Sequence, residues 1–140
     1  MPFIFQAKPT IYDVSARLKP DLQVGWIASR YREQMKKGEI VYIWGAGEVQ
    51  RRGIYGWGEI TSDGPFVDTH GTYRVAVTYR KVFPRPVLVR ELRDHPQLRD
   101  LLILRSAMGT NFPVTDEEHA ALREVVAEKL GQSWAPPAQG

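Results

Sequence analysis

The sequence predicts a single α+β domain, on three observations. Strand-like segments rich in β-branched and aromatic residues fill much of the first two thirds of the chain, glycines interrupt one of them, and a fully specified helix occupies the last third. Phe3 to Ala7 is the first strand. Asp13 is placed to cap a short helix ending near Leu18, because its carboxylate can accept from the free amides of the first turn. Leu22 to Ile27, which carries Trp26, reads as a strand or a turn-in segment. Ser29 is placed to cap a helix over Arg30 to Lys37, closed by Gly38.

Glu39 to Trp44 is the next strand, followed by Gly53 to Thr61. Alternation in the latter sets Ile54, Gly56, Gly58 and Ile60 against Tyr55, Trp57 and Glu59. Its glycines give it little to pack, so a tight barrel bend or the close approach of another backbone or ligand is expected. Thr72 to Phe83 alternates Tyr73, Val75, Val77 and Tyr79 with Arg74, Ala76, Thr78 and Arg80, and Pro84 and Pro86 are expected to end it. Leu88 to Asp94 predicts a short helix, and Leu98 to Leu104 fits either element. Thr115 and Glu118 form a capping box for a last helix, with Ala121, Leu122, Val125, Val126 and Leu130 at helical spacing and Gly131 as its stop. The domain therefore spans residues 1–131, and residues 132–140, with two prolines, are expected to be a flexible tail.

Composition is that of an ordinary globular chain: 140 residues, 43% hydrophobic, 25% charged, and no apolar run near the length of a membrane span. There is no cysteine, which excludes disulfides and thiolate metal sites. No signal peptide is visible, so a cytoplasmic location is expected. The net charge of +3 favours an anionic partner without requiring one.

Gly45-Ala46-Gly47, after an apolar strand, invites a nucleotide-loop reading. A dinucleotide fingerprint needs a third glycine and a helix whose N-terminus receives the pyrophosphate. Here Gln50 stands at the third position and Arg51-Arg52-Gly53 leads into a strand, so the segment reads as a hairpin connection. His70, His95 and His119 are scattered, with no metal-ligand spacing, and His119 in an acidic first helical turn is expected to be solvated. No serine sits in a nucleophile elbow, and no metal or cofactor is expected.

Three segments in order complete a pattern: W-I-A-S-R-Y-R-E-Q-M-K-K-G-E-I-V-Y-I-W-G (Trp26 to Gly45), G-I-Y-G-W-G-E-I (Gly53 to Ile60) and G-T-N-F-P-V-T-D-E-E (Gly109 to Glu118). With the opening F-I-F-Q-A-K-P they resemble the EVE domain of the PUA-like superfamily, related to the YTH and ASCH domains. The resemblance implies a small curved β-barrel with surrounding helices and a non-catalytic reader of modified bases in nucleic acid. Modified cytosine in DNA is the favoured target, with a modified base in RNA as a second. It implies a pocket between the barrel and the segment carrying Trp26. The chain departs from the family in the turn after Trp44, where Gly45-Ala46-Gly47 replaces the usual Arg or Ser before a glycine.

A base offers two π faces and a polar edge, and stacking is worth about 1–3 kcal/mol per base. Trp26 and Trp44 are the candidate walls, each equally readable as core; Trp57, with Tyr55 on its face, leans to core. Ser29 and Asn111 are edge candidates, with a helix cap and a turn as the plainer alternatives, and Gln6 ends the first strand at a position that approaches the pocket in relatives. Arg30, Arg32, Lys36, Lys37, Arg51 and Arg52 are the phosphate candidates or, equally, a solvated basic face. The expected partner is DNA or RNA carrying a modified base, with any effector on a separate protein. Two other functions compete: a small-ligand or modified-nucleoside binder using the same pocket, and an enzyme on a modified base, for which Glu59 and Asp63 are the nearest ionisable groups.

Overall fold

The computed structural model describes residues 1–7 and 14–138, so the expected cap at Asp13 lies outside the described residues. Helix α1 is the short Val14–Arg17. A mixed sheet carries the architecture. Strand β1 (Phe3–Ala7) runs parallel to β3 (Ile40–Gly45) and antiparallel to β7 (Asn111–Pro113). Strand β4 (Gly53–Ile60) joins β3 to the long β6 (Tyr73–Leu88), which pairs in turn with β2 (Gln23–Ile27) and the two-residue β5 (Phe66–Val67). The order is β2-β6-β4-β3-β1-β7.

Side-chain alternation divides the core into two faces. Phe3, Phe5, Val41, Ile43, Val75, Val77 and Tyr79 fill the concave interior with Trp26 and Met35. Ile4, Ile40, Tyr42 and Trp44, their neighbours in the chain, pack on the opposite face beneath the helices. Those helices are α2 (Val89–Asp94), α3 (Leu102–Arg105) and α4 (Asp116–Leu130), which contribute Leu92, Ile103, Leu122 and Val126. Every residue of β3 is buried. Among the described residues no helix is long and apolar enough to cross a membrane.

The glycines of β4 serve close backbone approach. A Cβ at Gly53, Gly56 or Gly58 would fall 2.1–2.4 Å from the carbonyl oxygen of Val87, Lys81 or Thr78 on β6. Register shifts at Ile54/Gly56 and Trp57/Gly58 break the simple alternation, so Ile54 and Trp57 share the helix-covered face while Ile60 turns to the interior. The prolines expected to end β6 sit inside it. Ile54 pairs with Val87 and Gly56 with Val82, leaving Pro84 and Pro86 in a bulge where no ladder N–H is required.

Three other expectations are corrected. Arg30 to Lys37 forms only a 3-10 turn over Arg32–Gln34; Ser29 caps nothing there, and Tyr31 precedes the turn with φ 60°. Residues 132–138 are not loose: a 3-10 turn at Gln132–Trp134 lays them on α4 and the sheet. Trp57 Nε1 donates to Trp134 O at 2.8 Å, Arg123 Nε to Pro136 O at 2.7 Å, and the Trp134 ring meets Phe83 edge-on. His119 is 3% exposed rather than solvated. Its Nε2 lies 3.0 Å from Pro137 O and its Nδ1 2.9 Å from Tyr42 Oη. A carbonyl only accepts, so Nε2 carries the proton and the Tyr42 hydroxyl donates to Nδ1. The capping box of Thr115 and Glu118 is formed as expected.

Candidate functional site

A cavity of about 810 Å³ wraps the rim where β1 and β3 end. This is the size of sites that take small organic molecules, roughly 300–1,000 Å³. Its walls come from several elements: Gln6 and Ala7 of β1, Trp26 with its β2 neighbours, Trp44 of β3, Val89 and Arg93 of α2, Ile103 and Leu104 of α3, and the loop Ala107–Thr110. Val49 and Met108, both strongly exposed, mark its mouth.

The two indoles arrive from opposite faces of the sheet. Trp26, 4% exposed, sits in the concave interior, tilted against Phe5 with ring centroids 5.9 Å apart, and its Nε1 donates to Tyr79 Oη at 3.0 Å. Trp44, 3% exposed, belongs to the helix-covered core and pairs in register with Gln6. Each is therefore core along most of its length and cavity wall at one edge.

Gln6 anchors the loop opposite. Its Nε2 donates to Ala107 O at 2.6 Å and Gly109 O at 2.9 Å, and its backbone N–H to Thr110 O at 2.9 Å. The charged side chains lining the cavity, among the described residues, are the guanidiniums of Arg52, Arg74 and Arg93. Arg52 is held across the turn by Gly47 O at 2.9 Å. Arg74 bonds Asp68 at 2.7 Å and Gly25 O at 3.0 Å. The Arg74–Asp68 bond, and the amide of Thr72, hold the pKa of the Asp68 carboxyl down to about 2.

Several candidates from the sequence stand elsewhere. Trp57 does not border the cavity; it is buried in the helix-covered core, fixed by its bond to the 132–138 segment. Asn111, 4% exposed, has its amide consumed by the fold: Oδ1 accepts from the backbone N–H and hydroxyl of Ser29, and Nδ2 donates to Ile27 O at 2.9 Å. The side chain thus mimics a peptide group and clasps edge strand β7 to the end of edge strand β2. Ser29 is spent in the same clasp. With Arg30 these two line a smaller hollow of about 50 Å³, which shares Met108, Gly109 and Thr110 with the main cavity.

Among the phosphate candidates, Arg52 borders the cavity, Arg51 adjoins it in the chain, and Arg30 flanks the shared loop. Arg32 instead lies over the Tyr73 ring at 4.2 Å and donates to Ser29 O at 3.0 Å. Lys36 and Lys37 do not border the cavity, and the latter lies 3.9 Å from the exposed Asp63. Arg74 and Arg93 were missed by sequence reasoning; Arg74 was visible as a basic residue alternating on a strand, but its approach to the rim depends on β6–β2 pairing. Glu59 is engaged by Arg80 at 2.6 Å, and neither Glu59 nor Asp63 reaches the cavity. No cluster of three metal-ligating side chains occurs among the described residues.

A curved mixed sheet with helices on its outer face and a cavity at its rim is the architecture of a PUA-like α+β domain. The chain belongs to the EVE domain family, whose model matches residues 2–125. No curated protein matches it in sequence. Similar folds include a protein of Agrobacterium tumefaciens, with TM-score 0.72 and 18% identity over 96% of this chain and 98% of that one. A hypothetical protein of Leishmania major gives 0.71 and 14% over 91% and 94%. The human THYN1 protein, in a complex with DNA containing 5-methylcytosine, gives 0.66 and 14% over 86% and 94%.

Proposed function

We propose that this protein is a non-catalytic reader of a modified base in nucleic acid, with modified cytosine in DNA the favoured target and a modified base in RNA the second. The observation that carries the reading is the rim cavity, bordered by two indoles and carrying three guanidiniums but no carboxylate or imidazole among its described walls. Apolar aromatic surface suits the faces of a base, and fixed positive charge suits the phosphates beside it. The family and the fold shared with the DNA-bound THYN1 support the same reading. Cytoplasmic action with a separate effector belongs to the proposal. A second reading, a binder of free modified nucleosides, draws on the size of the cavity, which accommodates a nucleoside without using the arginine fringe.

The test is tryptophan fluorescence against short oligonucleotides carrying cytosine, 5-methylcytosine, 5-hydroxymethylcytosine, adenine or N6-methyladenine, in DNA and RNA. Trp26 and Trp44 border the cavity, so saturable quenching selective for one modified base is expected. Log affinity should fall against log salt with a slope of about −0.7 per phosphate contact on single strands. The double variant Arg51→Glu, Arg52→Glu should abolish oligonucleotide binding. If the variant binds as well as the parent, or if a free nucleoside binds equally tightly, the nucleoside reading replaces the first. A folded protein quenched by none of these ligands would refute both.

A further inference from the structure

We infer that Gln6 is the specificity-determining acceptor of the cavity: its amide oxygen reads an exocyclic amino group, so that the site takes an amino-bearing base and rejects its oxo counterpart. The inference rests on the base-reading function proposed above and names which edge of the base is read.

The orientation of a glutamine amide follows from its hydrogen-bond partners. Here both partners of one end are backbone carbonyls, Ala107 O at 2.6 Å and Gly109 O at 2.9 Å. Carbonyls cannot donate, so the NH₂ group must face them and both its hydrogens are used. A flipped amide would set oxygen against two oxygens. The carbonyl end, Oε1, is what remains. It has no hydrogen-bond partner among the described residues, and Gln6 is a wall of the cavity beside Trp44, with which it pairs in register. Among the other polar side chains in the wall, the Thr110 hydroxyl can turn to donate or accept and so does not discriminate, and the rest are donors or already committed. Arg52, Arg74 and Arg93 only donate, and the indole N–H of Trp26 is bonded to Tyr79.

A fixed acceptor at the side of an aromatic-walled cavity selects a donor on the ligand's edge. Cytosine presents its N4 amino group and adenine its N6 amino group, whereas thymine and hypoxanthine present a carbonyl oxygen at the same place. Thymine differs from 5-methylcytosine on this edge by that exchange, together with the N3 proton that accompanies it. Set against Gln6 Oε1, a carbonyl oxygen makes no bond and is repelled. The amide cannot turn to oblige it without leaving both loop carbonyls unsatisfied.

The experiment compares matched short oligonucleotides, one carrying 5-methylcytosine and the other thymine at the same position, by direct binding to the parent protein and to Gln6→Met. The parent should prefer 5-methylcytosine by about tenfold or more, the effect of one hydrogen bond gained against one acceptor left opposed. The Met variant keeps the side-chain length but lacks the acceptor, and its preference should collapse toward unity. A purely structural role for Gln6 in holding the loop would weaken both ligands alike and leave the ratio unchanged. The same comparison between N6-methyladenine, which retains one N6–H, and hypoxanthine distinguishes the pyrimidine from the purine source of the amino group. Preference for the amino form in either ring, lost in Gln6→Met, supports the inference, and a preference that the folded variant retains overturns it. Equal binding of amino and oxo forms in both, which the parent alone can show if the variant does not fold, overturns it and leaves the base-reading function standing. Binding of none of the four oligonucleotides by the folded parent overturns that function and the inference together.

Discussion

Replacing Asn111 by alanine should cost about 2–4 kcal/mol in chemical denaturation, because the Ile27 carbonyl and the Ser29 amide then lose their partners in a half-buried setting. Binding should weaken only as far as folding does, since the amide has no free group to offer a ligand. His119 makes a pH prediction. Burial is the main cause holding its pKa below the ordinary 6.5, with Arg123 adding to it and the Pro137 carbonyl and Asp116 opposing. The folded protein keeps the ring neutral while the unfolded chain binds a proton, so this contribution is complete above pH 6.5 and declines as the pH falls below it. Thermal melts at pH 7 and pH 5 should show a smaller drop for His119→Gln than for the parent. Neither role was legible locally. Asn111 stands in N-F-P like any turn residue, and its partner is 84 positions away. His119 lies among acids in a helical first turn, and what buries it is a segment whose prolines suggested looseness.

In strand β4, Gly58→Ala would drive a methyl to 2.4 Å from the Thr78 carbonyl, with backbone on the receiving side. Overpacking of this kind costs about 1–3 kcal/mol. Gly71→Ala, at φ 80° with open space around it, should cost about 1 kcal/mol through backbone strain alone. Denaturation midpoints of the two variants check the order. The three-glycine strand advertised this close approach in the sequence, as the capping box of Thr115 advertised α4. The failures were of a different kind. Proline was read as a strand terminator at Pro84 because a continuous ladder was assumed, and the bulge opposite Tyr55 removes that assumption. Ser29 to Gly38 carried both helix signals, a cap and a stop, yet the Ser29 amide goes to Asn111 and Arg32 is drawn to Tyr73 and the Ser29 carbonyl, so tertiary bonds won.

Removing residues 132–138 should lower stability by about 2 kcal/mol or more, seen as a lower melting temperature. Trp57, His119 and Arg123 would each lose a carbonyl partner, and the helix-covered core would lose the cover of Trp134. Oligonucleotide binding should survive, because this segment does not border the cavity. The α+β class and the family were readable over most of the chain, and of the residues that border the cavity Trp26, Trp44, Gln6 and Arg52 had been singled out from the sequence. The remainder, Arg74, Arg93, Ile103 and the Ala107–Thr110 loop, are brought to the rim by strand register and helix packing, which no local pattern encodes.

The cavity joins two kinds of material. On one side Trp44 hangs from β3, a central strand buried on both faces, whose amides can exchange with solvent only when much of the sheet opens. On the other, the Ala107–Thr110 loop is largely exposed and is tethered to β1 through bonds to Gln6. In deuterium exchange the two walls should differ sharply, the loop exchanging quickly and β3 scarcely at all. A ligand in the cavity would then register as slowed exchange in residues 107–110 with no change in β3, so adaptation to ligands of different size falls to one wall while the other holds its position.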